Sequence, residues 1–403
     1  MSVTRKGREW RRLVTAAWFM AVATPVSAGE WSGFASLEYQ GFIYSPLYPE
    51  QHRSYFSAVL QPEFYHKLEN SKDSFTFVPF ARADQHDPER SHADIRELTW
   101  LKVGADYEWR LGIRKVFWGV TESQHLVDIV NQTDLVENID TEDKLGQPMI
   151  NLALIRDWGT LNFFALPGFR ERTFPGVEGR LRTSPRVDTD QAGYESARGR
   201  RRVDYALRWS KSVSGWDIGL SQFYGTAREP RLLPGVDGGG APVLVPRYDL
   251  IHQTGLDMQL TEGSWLWKLE AIHRRGQGPT YSALTGGLER TFTGVFGTSM
   301  DLGLIAEYLY DDRGVNAPTP FQDDVMMGLR LALNDAQSSE VLLGVIDDRR
   351  RHARMFNLEA SRRIGRHFKL SLEARAFAGV PATDPLYAWR RDDYLQLELA
   401  RYF

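Results

Sequence analysis

The residues best suited to chemistry are concentrated between positions 118 and 148. This segment contains seven carboxylates and only one Lys or Arg, Lys144. The segment just before it alternates, so that Arg110 and Arg114 share one side and Trp109, Leu111 and Ile113 the other. Basic side chains facing an acidic segment across water create a transverse field, which favours polar or charged solutes. The alternative is that these charges only pair with one another.

Groups for catalysis are sparse. The chain has nine His and no Cys, and it contains no G-x-S-x-G or H-E-x-x-H motif. His252 and His273 fall on the apolar side of alternating segments, which leaves His125 as the one histidine considered for a chemical role. We therefore predict no catalytic residue, no metal site and no cofactor, and a hydrolase is the least favoured function.

The dominant hydrophobic period is two, which is typical of β-strands. The segment 300–310 places Leu302, Leu304 and Tyr308 on one side and Asp301 and Glu307 on the other. About eighteen such segments occur, and many last about ten residues, the length a tilted strand needs to cross a bilayer. They are 31–44, 54–66, 74–84, 93–103, 107–117, 149–156, 159–166, 202–210, 215–225, 247–260, 264–276, 285–297, 300–310, 323–334, 339–347, 353–363, 367–377 and 391–402.

The connections between these segments are sorted by length. Short links such as 104–106, 157–159, 212–215 and 260–263 alternate with long ones, and Trp100, Trp109, Trp209, Trp216 and Trp265 lie beside the short links. Barrels of outer membranes have short turns at one end, longer loops at the other and aromatic girdles. We predict an all-β, antiparallel up-and-down transmembrane barrel of about 18 strands. A soluble sandwich, or 16 strands without 149–156 and 159–166, remains an alternative.

Alternation also assigns charged side chains to the barrel interior. An Arg or Lys facing lipid at mid-membrane costs roughly 2–4 kcal/mol, so charged residues of the strands should point inward. The predicted pore-lining residues are Arg82, Arg110, Arg114, Arg208, Lys268, Glu270, Arg274, Glu307, Arg330, Glu359, Glu373 and Arg375.

The first 28 residues have the layout of a cleaved signal peptide. Five Lys or Arg precede an apolar run from Leu13 to Ala23, and small residues end the region at Ala28. We predict cleavage there, export through the inner membrane and one barrel domain over 29–403. The net charge of the whole chain is −3, which disfavours nucleic acid as a partner.

The alternating strands, the sorted links, the signal peptide and the final "LELARYF" resemble bacterial outer-membrane porins. The stretch that begins "WGVTESQH" is also similar to uncharacterised proteobacterial barrel proteins. The porin resemblance implies that 118–148, after the fifth strand, folds inward as a constriction loop. Its candidate site residues are Glu122, His125, Asp128, Asp134 and Glu137. Phe403 would be the signal that the barrel-assembly machinery reads.

The function expected from these features is a porin-like channel in the bacterial outer membrane for small polar or charged solutes. The alternative is a closed or plugged barrel that acts in export, adhesion or partner binding. Expected partners are outer-membrane lipid, lipopolysaccharide, the barrel-assembly machinery and small solutes. The next long link, 167–201, and Arg202 after it carry nine Arg that could bind lipopolysaccharide, although a solvated outer loop is favoured. They are Arg170, Arg172, Arg180, Arg182, Arg186, Arg198, Arg200, Arg201 and Arg202.

Overall fold

The computed structural model describes residues 29–69 and 71–403, so the predicted signal peptide lies outside the described residues. Eighteen strands form one antiparallel sheet that closes into a barrel, because β1 pairs with both β2 and β21. The barrel strands are β1 (Glu30–Phe42), β2 (Ser54–Lys67), β3 (Ser74–Asp84), β4 (Ala93–Val103), β5 (Tyr107–Arg114), β6 (Gln147–Arg156), β7 (Gly159–Pro167), β9 (Val203–Val213), β10 (Trp216–Thr226), β13 (Leu250–Glu262), β14 (Trp265–Gly276), β15 (Gly278–Phe292), β16 (Asp301–Asp311), β17 (Asp323–Ala332), β18 (Glu340–Asp348), β19 (Arg354–Ile364), β20 (Phe368–Ala378) and β21 (Tyr394–Tyr402).

Three further strands form a small sheet outside the barrel ladder. They are β8 (Gly193–Tyr194), β11 (Arg231–Val236) and β12 (Pro242–Tyr248). Short 3-10 helices occupy Thr189–Gln191, Gly199–Arg201, Val295–Gly297, Gly314–Asn316 and Pro385–Trp389. Within the described part of the chain, no helix is long and apolar enough to cross a membrane.

The prediction of an 18-stranded antiparallel barrel is confirmed, and each predicted strand matches one barrel strand. The 16-strand alternative is wrong because β6 and β7 pair with each other over seven residues of register and β7 continues the sheet to β9. The alternation of residues along the strands also matches the burial of their side chains. On β16, Ile305 and Leu309 are buried, whereas Leu304 and Tyr308 are exposed on the outer surface.

The links follow the predicted sorting, with two exceptions. Links of two to eight residues at one end of the barrel, which we call the short-link end, alternate with links such as 115–146 and 168–202 at the opposite, long-link end. The expected long link 277–284 is wrong, because only Gln277 separates β14 from β15. Gly276 and Gly278 pair across this tight turn with φ of 108° and 85°, values open to glycine because it has no Cβ. The link 349–353 is also short.

The last strand is ordered because it has a partner on each side. β21 pairs with β20 and with β1, and the Phe403 N–H donates to the carbonyl of Gly33. Leu395, Leu397 and Leu399 are exposed on the outer face of this strand. The role of Phe403 as an assembly signal stays a prediction.

Candidate functional site

The segment between β5 and β6, residues 115–146, lies inside the barrel; we call it the inner loop. It contacts inward-facing side chains of β14 and β16 on one side and of β3 and β20 on another. The predicted bounds, 118–148, are wrong by a few residues at each end, because β5 ends at Arg114 and β6 begins at Gln147.

Two barrel carboxylates hold the first half of the inner loop by its backbone. Glu270 accepts hydrogen bonds from the backbone N–H groups of Val120, Thr121 and Val127, at 2.7, 3.0 and 3.1 Å. Glu307 accepts from the N–H groups of Glu122 and Ser123 at 2.7 and 2.9 Å. Hydrogen bonds to an ionised acceptor are about twice as strong as neutral ones, so these two carboxylates fix the path of the loop.

Apolar residues of the inner loop pack against one wall of the barrel. Val127, Ile129 and Val130 are 0–2% exposed and belong to one cluster with inward-facing residues of β6, β7, β10 and β13–β15, among them Phe223 and Ile251. The backbone of residues 126–130 forms turns and bends rather than a helix. The Thr121 hydroxyl lies 2.6 Å from the carbonyl oxygen of Gln124 and 2.7 Å from Glu270, and its single proton can be donated to either acceptor.

The second half of the inner loop crosses to the opposite wall. Glu137 accepts from Arg82 of β3 at 2.7 Å, and the amide of Asn138 donates to Glu373 of β20 at 2.9 Å. Nearby, Asp134 accepts from Arg96 of β4 at 2.8 Å. The acidic loop therefore does meet basic strand residues, and many of those charges are paired.

Two of the cavities inside the barrel lie on opposite sides of the inner loop. The first, of about 530 Å³, reaches toward the short-link end, where Phe34, Ser361 and Lys369 line it. The second, of about 370 Å³, reaches toward the long-link end, where Arg172, Arg313 and Trp389 line it. Residues that line both cavities mark the place where they approach each other; they are Glu122, Asp140, Glu142, Leu342 and Glu359. We call these five residues the shared ring.

The shared ring is acidic, since four of its five residues are carboxylates. Ten carboxylates line the first cavity against five Lys or Arg. In the second cavity, cationic Arg172, Arg274 and Arg313 lie beside apolar Ile272 and Phe321.

Three ionisable groups of the inner loop have displaced pKa values. Burial raises the pKa of Asp140 to about 6, although Arg375 opposes the shift. Burial, together with the nearby Asp140 and Glu137, raises the pKa of Asp143 to about 7. Burial lowers the pKa of His125, but contacts with Glu142 and Glu270 outweigh it and raise the pKa to about 10.

The twelve predicted pore-lining residues all lie on inward-facing positions of their strands, but they differ in access. Six line the two cavities: Arg82, Arg274, Arg330, Glu359, Glu373 and Arg375. Glu270 and Glu307 are 0% and 3% exposed, so the inner loop covers them and they anchor it rather than face a solute. Lys268 lies 3.6 Å from Glu122. Arg110 pairs with Glu108, Arg114 with Asn151 and Arg208 with Asp257.

The predicted residues of the constriction loop divide in the same way. Glu122 lies in the shared ring, Glu137 lines the first cavity, and His125 and Asp128 line the second. Asp134 is 0% exposed and binds Arg96, His92 and Thr173, so it is not available to a solute. Asp128 also accepts from the N–H groups of Trp118 and Gly119.

Sequence reasoning missed Leu342 of the shared ring and left Asp140 and Glu142 out of the candidate site. The acidity of the loop was visible, but the sequence has no signal for which carboxylate reaches the far wall. Arg side chains of the link 168–202 form ion pairs within the protein: Arg180 pairs with Asp392, and Arg170 pairs with Asp94.

Comparisons with known proteins find similarity to solved structures only. No protein-family model matches the chain, and no curated protein sequence matches it significantly. A triple mutant of the Rh. blastica porin is 12% identical, with 93% of this chain and 100% of that chain covered and a TM-score of 0.46. A double mutant of that porin is 11% identical over the same shares, with a TM-score of 0.47. The strand pairings by themselves show a closed 18-stranded antiparallel β-barrel, because β1 pairs with both β2 and β21.

Proposed function

We propose that this protein is a channel of the bacterial outer membrane that passes small hydrophilic solutes and prefers cations. The observation that carries the proposal is the shared ring, where two cavities inside one barrel have lining residues in common. Solutes would pass between the inner loop and the wall formed by β17–β20.

The membrane location rests on the outer surface of the barrel. Large apolar side chains are exposed there on strand after strand, including Leu37, Phe56, Tyr205, Leu220 and Met327. Exposed apolar area on this scale marks an interaction surface, and a barrel with such a band is suited to lipid. Lipid, lipopolysaccharide and the assembly machinery remain proposed partners.

The cation preference rests on the charge of the passage. Carboxylates outnumber Lys and Arg two to one around the first cavity, and Glu359 and Glu142 keep exposed side chains in the shared ring. Rings of carboxylates favour cations because they lower the electrostatic barrier to a positive ion. Arg330 and Arg375 pair with Glu122 and Asp140, which reduces the acidity without removing it.

A closed barrel is the second candidate, and one observation favours it. The inner loop is attached to both walls, through Glu270 on β14 and through Glu373 and Arg375 on β20. A loop held at both ends could block the passage rather than narrow it.

Reconstitution in planar bilayers separates the two candidates. The channel predicts discrete current steps from the folded protein and a reversal potential of the cation-selective sign in a KCl gradient. Absence of current from folded, inserted wild-type protein would contradict the channel. If current then appears only after deletion of 121–143, the barrel is plugged.

A further inference from the structure

Three links at the long-link end bring two imidazoles and a carboxylate together. They are His52 from link 43–53, His86 from link 85–92 and Glu178 from link 168–202. The two imidazole rings are stacked 3.6 Å apart at 12°, and His52 Nε2 lies 3.8 Å from Glu178 Oε2. One ligand atom of each residue lies within 4.8 Å of the others. We propose that His52, His86 and Glu178 bind a divalent transition-metal ion, with zinc as the ion that fits best.

The ligand set selects the class of ion. Imidazole nitrogen suits zinc, copper and nickel, whereas magnesium and calcium prefer oxygen ligands only. Zinc binds nitrogen at about 2.0–2.1 Å with tetrahedral geometry, which puts neighbouring ligand atoms about 3.4 Å apart. The three side chains are half-buried or exposed and can rotate. Binding requires at least one imidazole to turn out of the stacked arrangement, because each nitrogen lone pair lies in the plane of its ring. A water molecule would complete the coordination.

The ligand atoms are available, which distinguishes this site from a second cluster of similar composition. Across residues 29–69 and 71–403, the only polar side-chain contact of His52 and Glu178 is the one between them, and the imidazole nitrogens of His86 have none. In the second cluster, His92, Asp134 and Glu137, the carboxylates already bind Arg96 and Arg82. A metal ion there would have to compete with two guanidinium groups.

A buried hydrogen-bond network holds the three ligand residues in place. Tyr55 is 3% exposed; its hydroxyl accepts from the His52 N–H at 3.1 Å and donates to the Glu178 carbonyl at 2.5 Å. Asp84, which is also buried, accepts from the His86 N–H at 3.0 Å. These hydrogen bonds fix the backbone from which the two imidazoles and the carboxylate extend. The backbone positions are therefore set before any ion binds.

Binding would join three links that are far apart in sequence. The link 168–202 also supplies Arg172 to the second cavity. An ion at this site would therefore hold the long-link end of the barrel in its present arrangement. The sequence alone predicted no metal site, because nothing in it places positions 52, 86 and 178 together.

Calorimetric titration of zinc chloride into the purified, detergent-solubilised barrel, without a histidine tag, tests the proposal. We expect one zinc per chain. His86→Ala and Glu178→Gln should each weaken binding by more than about 100-fold, because loss of an outer partner alone costs about 10–100-fold. The matched control is His92→Ala, which removes the imidazole of the second cluster and should leave the zinc affinity unchanged.

Folding and ligand identity are checked separately. Each variant should keep the heat-dependent electrophoretic mobility of a closed barrel, and Glu178→Gln is the safer variant because Glu178 is exposed. Bound cobalt should show the visible absorption that is typical of a cobalt ion with few ligands, and only in the wild type and the His92→Ala variant. Absence of stoichiometric zinc binding, or binding that survives both His86→Ala and Glu178→Gln, would overturn the proposal.

Discussion

Asp140 of the inner loop accepts a 3.0 Å hydrogen bond from the guanidinium of Arg375 on β20. This contact joins the end of the loop to the wall opposite its apolar anchor. Asp140 also belongs to the shared ring, so the same carboxylate holds the loop and borders the passage. Mutations can separate the role of Asp140 in holding the inner loop from the contribution of carboxylates to the charge of the passage.

Asp140→Asn should loosen the end of the inner loop, because the amide keeps the size of the carboxylate but not its charge. We expect larger fluctuations of the open-channel current in planar bilayers. Asp106→Asn is the control, since Asp106 forms an exposed ion pair with Arg156 in a short link away from the passage. Equal noise in wild type and Asp140→Asn would argue against the Asp140–Arg375 contact as a restraint on the loop.

Glu359→Gln should reduce the cation preference. Glu359 lines both cavities, and two unit charges 4 Å apart in water interact by about 1 kcal/mol. We expect the cation-to-anion permeability ratio, measured from reversal potentials, to fall by about two- to fivefold. Glu262→Gln, at an exposed position at the end of β13, should leave the ratio unchanged. A ratio that is unaffected by Glu359→Gln would place the ion path elsewhere.

The cation preference should rise with pH between about 5 and 8. The pKa values of Asp140 and Asp143 are raised to about 6 and 7, so both are mostly neutral at pH 5 and ionised at pH 8. Asp143→Asn should flatten the upper part of this profile. A profile that is flat in the wild type would show that neither group faces the permeating ion.

The free energy of unfolding should fall as pH rises through an overlapping range. A carboxyl group whose pKa is higher in the folded than in the unfolded chain favours folding while it is protonated, and this contribution is lost as pH rises through the folded value. For Asp140 and Asp143 that window runs from about pH 4 to pH 7. Thermal unfolding in detergent should show a smaller pH dependence in Asp143→Asn than in the wild type.

Glu270→Gln should release the first half of the inner loop. The glutamine would offer a donor where the loop also presents donors, and a hydrogen bond to a charged group contributes about 1.5–3 kcal/mol. We expect the free energy of unfolding in urea to fall by about that amount. The Glu262→Gln variant again serves as control, and an unchanged stability would mean that other contacts hold the loop.

Much of the barrel was predictable because its rules are local. The alternation that placed Leu304 outward and Glu307 inward acts between neighbours along one strand. It is strongly enforced because a charged side chain that faces lipid costs free energy. The failures have local causes too. The Gly276–Gln277–Gly278 turn was missed because residues 277–284 were all assigned to a long link. Positive φ at two glycines is not visible as hydrophobic periodicity.

The sequence by itself determined the strands, their inward and outward faces, the sorting of links and the acidity of residues 118–148. Only the tertiary structure decided that Glu270 and Glu307 anchor the loop, that Asp140 reaches Arg375 and that His52 meets His86. The physical reason is the range of the interactions. Strand period and turn chemistry are set within a few residues, whereas these contacts join positions whose separation in the chain has no relation to their distance in the closed barrel.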